Sequence, residues 1–180
     1  MKLDKVAYSL AISLALASAG AIADTTTVSG GTINFEGKVV NAACSVAADS
    51  VNQTITLDDV KVSKLATSGE AAGQPVPFQI VIADCDTTVM QNVSVSFNGQ
   101  SDVSSTGALA NTAGAGAATN VALQLYGPDG QTLALGVESS TVPLIGEQNT
   151  VPFSVDYIAT SDAATAGTVA ATATFSMNYS

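Results

Sequence analysis

Apolar and polar residues alternate with period two in stretch after stretch of this chain. Val93, Val95 and Phe97 alternate with Ser94 and Ser96, and Ile55 and Leu57 with Thr54 and Thr56. Val121, Leu123 and Leu125 alternate with Ala122, Gln124 and Tyr126, and Val151, Phe153, Val155 and Tyr157 with Pro152, Ser154 and Asp156, only Ile158 falling off the pattern. Side chains point to opposite faces at successive strand positions, so each stretch predicts a half-buried strand. The segment Phe78 to Cys85 is apolar on both parities at its centre, which predicts a strand covered on both faces. Turn chemistry separates the stretches, notably at Asn98-Gly99 and at Pro128-Asp129-Gly130. Ser104 to Thr119 is small-residued and low in complexity and reads as a loop, with room for a short helical turn near Ala108. Beyond the N-terminal apolar run no stretch longer than two turns has helical periodicity. Eight or so short strands with regular turns predict an all-β sandwich of immunoglobulin type.

The two ends of the chain sharpen this picture. From Thr168 onward every odd position is apolar (Val169, Ala171, Ala173, Phe175, Met177, Tyr179), and the chain stops at Ser180. Near the other end, "TVSGGTINFEG" from Thr27 reads as a strand in which Gly31, Ile33, Phe35 and Gly37 share one parity. Glycine inside a strand often marks the close approach of another backbone. Val28 has the opposite parity, so placing it on the same face requires a slip or bulge near Gly30. Long apolar strands at chain ends invite edge pairing unless something covers them. On the residues alone, the first of these is equally an ordinary first strand of its own domain.

Residues 1–23 read as a secretory signal peptide. Lys2 and Lys5 precede an apolar run from Val6 to Ala19, and Ala21 to Ala23 form a small-x-small cleavage pattern. Export agrees with the cysteines: Cys44 and Cys85 are the only two, and an even count in an oxidising compartment indicates a bridge. The net charge of the whole chain is −10, and removal of the leader leaves only Lys38, Lys61 and Lys64 as cations. Such a surface repels phosphate, so nucleic acid and anionic lipid are poor partners.

Catalysis finds few candidates. With no histidine there is neither a Ser-His-Asp arrangement nor a histidine metal site. Asp58-Asp59 and Asp84/Asp86 are the nearest acidic clusters, and acids so placed beside turns read as solvated surface. The expectation is a protein that is not an enzyme, with no cofactor, no metal and no small-molecule substrate.

Four segments taken in order carry a family resemblance: "GGTINFEGKVVNAAC" at Gly30 to Cys44, "ADCDT" at Ala83 to Thr87, "ATNV" at Ala118 to Val121 and "ATFSMNY" at Ala173 to Tyr179. The chain resembles the major pilins of type 1 fimbriae, assembled by the chaperone-usher route. Tyr179 is penultimate and Gly167 is fourteenth from the C-terminus, as in that family.

The resemblance implies an immunoglobulin-like sandwich that is incomplete, lacking its last strand, and is completed in trans. Residues 24–37 become an N-terminal donor-strand extension and 38–180 the pilin domain. Val28, Gly31, Ile33, Phe35 and Gly37 would enter a neighbour's groove, and Gly167, Val169, Phe175, Met177 and Tyr179 would belong to the C-terminal strand that faces the groove and a periplasmic chaperone. Cys44 and Cys85 would join the first strand to the second. The implied partners are identical pilin subunits in a head-to-tail filament, the chaperone and an outer-membrane usher, with passage through the periplasm to a fimbrium on the cell surface. A minor or tip adaptor pilin, or a small carbohydrate-binding adhesin domain, is the alternative. A family adhesin needs a further receptor-binding domain, for which this chain has no room, and there is no tryptophan to stack on a sugar.

Overall fold

The computed structural model describes residues 32–34 and 43–180. Among the described residues the only helical pieces are one turn, α1 (Ala48–Val51), and a 3-10 turn at Val62–Lys64. No helix there is long and apolar enough to cross a membrane. The rest is β-structure: β1 (Ser45–Val46), β2 (Val76–Ala83), β3 (Asn92–Gly99), β4 (Leu109–Ala110), β5 (Val121–Tyr126), β6 (Thr132–Leu133), β7 (Val142–Pro143), β8 (Asn149–Ala159) and β9 (Ala173–Tyr179). One sheet runs β1-β2-β8-β5-β4, with β6 also on β5; the other runs β7-β3-β9. Every ladder between strands is antiparallel.

The alternating residues meet between the sheets. Ile80, Ile82, Val151, Phe153, Val155, Leu123 and Leu125 from the first sheet pack with Val93, Val95 and Phe97 from the second. Three phenylalanines lock the centre: Phe97 stands edge-on to Phe153 with centroids 5.0 Å apart, and Phe78 stacks on Phe153 at 5.6 Å. A smaller cluster of Leu65, Ala72, Ala118, Val121, Ala159 and Ala164 sits at one end.

The all-β sandwich stands, and several local expectations are corrected. β2 buries one face only, Ile80 and Ile82, while Val81 on the other is half-covered where Ser50 of α1 accepts its N–H. β5, expected half-buried, is buried on both faces from Val121 to Leu125. Its outward Gln124 stays satisfied by donating to the carbonyls of Leu125 and Leu133. The expected loop after Ser104 contains β4, and no helical turn forms at Ala108. Asn98-Gly99 is not a turn but the end of β3, paired with Thr174 and Ala173. Glycine is needed there because a Cβ would lie 2.8 Å from the carbonyl oxygen of Thr172. Pro128-Asp129-Gly130 does turn, joining β5 to β6 through Gly127 N–H to Gln131 O.

Asp156 also departs from its expected place as an outward polar residue, being only 2 % exposed. Its Oδ2 accepts the amides of Gly73 (2.8 Å) and Gln74 (3.0 Å), which clamps that loop over β8. Asp156→Ala strands both amides, and a loss of about 2 kcal/mol is expected in the denaturant midpoint, with Asp156→Asn losing less.

Candidate functional site: an open groove beside the last strand

Among the described residues β9 has a ladder partner on one side only. It pairs with β3 from Val93↔Tyr179 to Gly99↔Ala173, and no strand among the described residues pairs with its other edge. The consequence shows in burial. Val93 and Val95 of β3 are fully buried and Phe97 nearly so, yet Phe175, Met177 and Tyr179, which pair with them and carry the same alternation, are each only half-buried. An apolar face that a sandwich would normally cover is open to solvent.

Facing it across the gap is the segment 53–60. Its alternation predicts a strand, and Ile55 and Leu57 do turn inward, but the segment makes no ladder. A ladder needs a partner strand, and β9 lies across the cavity from this segment. Between them opens a cavity of about 890 Å³, walled by Ile55 and Leu57 on one side and by Ala171, Ala173 and Phe175 on the other. Ile80, Phe97, Leu123 and Leu125 line its floor, so the groove opens onto the sandwich core.

The predicted C-terminal residues do not all share this cavity. Phe175 lines it, and Val169 and Gly167 line an adjoining cavity of about 530 Å³ that also touches Leu57 and the second cluster. Met177 and Tyr179 pack against the core beyond the lining. The Tyr179 hydroxyl donates to the Cys44 carbonyl at 3.3 Å, and burial raises its pKa above the ordinary tyrosine range, so it remains a donor at neutral pH. This bond ties the end of β9 to the chain entering β1. At the other end the expected long strand is interrupted: Thr168 bridges to Ala117, and Asn111 accepts the Ala170 amide, so regular pairing starts only at Ala173.

Gly167 lies against the backbone of residues 116–118, where a Cβ would come within 2.3 Å of the Ala118 nitrogen. Backbone cannot rotate away as a side chain does. Gly167→Ala is expected to cost about 1–3 kcal/mol in unfolding free energy, readable in thermal melts.

Cys44 and Cys85 form a disulfide with Cα atoms 4.1 Å apart, linking the residue before β1 to the loop after β2. Of the predicted donor residues, Val28, Gly31, Phe35 and Gly37 lie outside the described residues. Ile33 lies within them, in Thr32–Asn34, which are exposed and carry no secondary structure. The opposite wall, Ile55 and Leu57, and the aromatic floor at Phe97 escaped the sequence reading as site residues. Alternation showed which way they face, but not that their neighbour is missing.

The fold and groove can be set beside known proteins. Residues 33–180 match the family described as "Fimbrial protein". The chain is 44 % identical to "Fimbrial subunit type 1" of Klebsiella pneumoniae and 43 % identical to "Type-1 fimbrial protein, A chain" of Escherichia coli (strain K12), each alignment covering 99 % of this chain and all of the relative. Among solved structures, "Crystal structure of the P pilus rod subunit PapA" superposes with a TM-score of 0.64 at 22 % identity, over 77 % of this chain and all of that one, a likeness of fold. A subunit in a structure of a chaperone-usher pilus, titled for the basis of rod uncoiling, superposes with a TM-score of 0.68 at 25 % identity, over 88 % of this chain and all of that one.

Proposed function

This chain belongs to the fimbrial protein family, and from that premise we infer that it is the structural subunit of a pilus shaft, polymerised head-to-tail through its groove. It is not an enzyme, and like other fimbrial subunits it works outside the cell. Residues 24–37 of one copy supply the strand that β9 lacks in the next. Ile33 and Phe35 descend towards the groove floor, with Gly31 and Gly37 where the walls stand closest. Donor segment and acceptor groove are different parts of one chain, so a head-to-tail contact does not close on itself and builds a filament.

The open edge of β9, half-buried beside the buried inner face of β3, carries this reading. A strand laid there adds main-chain hydrogen bonds along the edge and covers the apolar face, which is strand addition used as polymerisation. Before assembly a chaperone strand would occupy the same groove in the periplasm, after removal of residues 1–23, and an usher would exchange it. The mutual full-length match to type 1 subunits favours a shaft subunit over a tip adaptor or adhesin domain.

Exported chain with and without residues 24–37 tests the proposal on a sizing column. Polymers from the full mature chain and a monomer from the truncated one are the expected result. Polymerisation that persists without residues 24–37 would overturn it.

A further inference from the structure

β8 runs the length of the sandwich, from Asn149, opposite Ile82 near the disulfide, to Ala159 in the second cluster, about 35 Å at a strand's rise. The two ends expose different residues. At the disulfide end stand Asp84, Asp86 and Glu147, with Ile145 (78 % exposed) and Val89 (50 %) beside them. Three segments are tied together there: the Cys85 amide donates to the Glu147 carbonyl at 3.0 Å, and the Asp86 amide to that of Ala43 at 2.8 Å. At the far end the 3-10 turn presents Lys61 and Lys64 around Val62, which is 41 % exposed. These are the only lysines among the described residues, and the chain has no arginine. Val62 borders the cavity whose other wall is Gly167–Val169, which places the turn where the chain enters β9.

Connectivity decides which ends meet in a filament. Ala43, the first described residue of the sandwich, lies at the disulfide end, and the N-terminal extension precedes it in the chain. A neighbour's strand laid on β9 in the antiparallel sense of every other ladder enters at Tyr179 and leaves towards Gly167. Its own body follows at once, disulfide end first.

We propose that each junction carries a second contact besides the donated strand: Lys61 and Lys64 of the accepting copy pair with Asp84, Asp86 and Glu147 of the donating copy. The exposed Val62 meets Val89 and Ile145 in the same contact. The proposal rests on the donor-strand reading above. Asp58 and Asp59 precede the turn, so the accepting surface is mixed and the pairing is side chain to side chain rather than cap to cap. Exposed pairs of this kind set the encounter rate and its salt dependence more than the final affinity.

The scarcity of lysines makes the test sparse and legible. Polymer of the full mature chain is coupled with a zero-length carbodiimide, digested and read by mass spectrometry. Peptide pairs joining Lys61 or Lys64 to Asp84, Asp86 or Glu147 are expected in the polymer and absent from the monomer lacking residues 24–37. Lys61→Glu with Lys64→Glu is expected to slow assembly about tenfold at low ionic strength, a difference that vanishes near about 0.5 M salt. Adding Asp84→Lys and Asp86→Lys in the same chain restores the rate. Each variant is first shown to keep its melting response to a peptide of residues 24–37. Polymer in which Lys61 and Lys64 couple only to other carboxylates, or a charge reversal without effect at low salt, overturns the second contact and leaves the donated strand standing. No polymer and no response to the peptide removes both.

Discussion

A synthetic peptide of residues 24–37, added to a chain lacking them at about a thousandfold over its dissociation constant, is expected to raise the melting temperature by about 15 °C. The size follows from what the groove lacks. Phe175, Met177 and Tyr179 are half-buried where their partners on β3 are fully buried, and Ile55 and Leu57 turn inward without a ladder. Covering Ile33 and Phe35 contributes about 1.5–3 kcal/mol each, and each main-chain bond to the β9 edge adds about 1 kcal/mol. Ordering a short peptide costs much of that sum, so the observed shift measures the surplus. Replacing Ile33 or Phe35 of the peptide by Asp should abolish the effect, because a carboxylate would be driven towards the apolar floor around Phe97. A scrambled peptide that works as well as the native order would show that the groove reads hydrophobicity and not a strand.

The second large effect lies at the disulfide. Replacing Cys44 and Cys85 together by serine is expected to lower unfolding free energy by about 4 kcal/mol, the chain-entropy value for a bridge of 41 residues' separation. The denaturant midpoint reads this, and dithiothreitol should destabilise the parent chain while leaving the double variant unchanged. More than chain entropy is held there. Cys44 supplies the carbonyl that accepts the Tyr179 hydroxyl. The buried Asn149 donates to Cys85 Sγ at 3.4 Å and accepts the Ile145 amide at 2.7 Å. Loss of the bridge should therefore also weaken the response to the peptide, since Tyr179 at the end of β9 is anchored to Cys44. A double variant of full stability would place the clamp in the hydrogen bonds alone.

How much of this was legible in the residues differs from element to element. By their alternation Val93, Val95 and Phe97 announced the inner face of β3, but its outer face is not solvated throughout, since Ser94 is buried and donates its hydroxyl to Glu138. The same argument failed for β5, whose outer Ala122 and Gln124 are buried by chain that comes from elsewhere in the sequence. It failed differently for Ile55 and Leu57, where the facing was right and the strand was not, since a ladder needs a neighbour that periodicity does not report. Asp156 looked like a solvated position and is a buried clamp, because the amides of Gly73 and Gln74 come back over it. Gly167 stood out only by its distance from the C-terminus; the approach of the Ala117–Ala118 backbone supplies its physical reason.

The alternating pattern, the turn at Pro128 to Gly130 and the paired cysteines were therefore enough to specify an all-β sandwich and its outward and inward faces. They act locally or through simple burial, and local chemistry is written residue by residue. The resemblance implied a missing strand, and the tertiary structure decided where the gap lies: among the described residues β9 pairs with β3 alone, and the segment opposite it makes no ladder. A missing strand leaves no mark on the strands that remain, because each is patterned for the completed sandwich. The family resemblance implied the gap where periodicity did not, and in the folded chain it shows as an apolar face of β9 that is only half-buried.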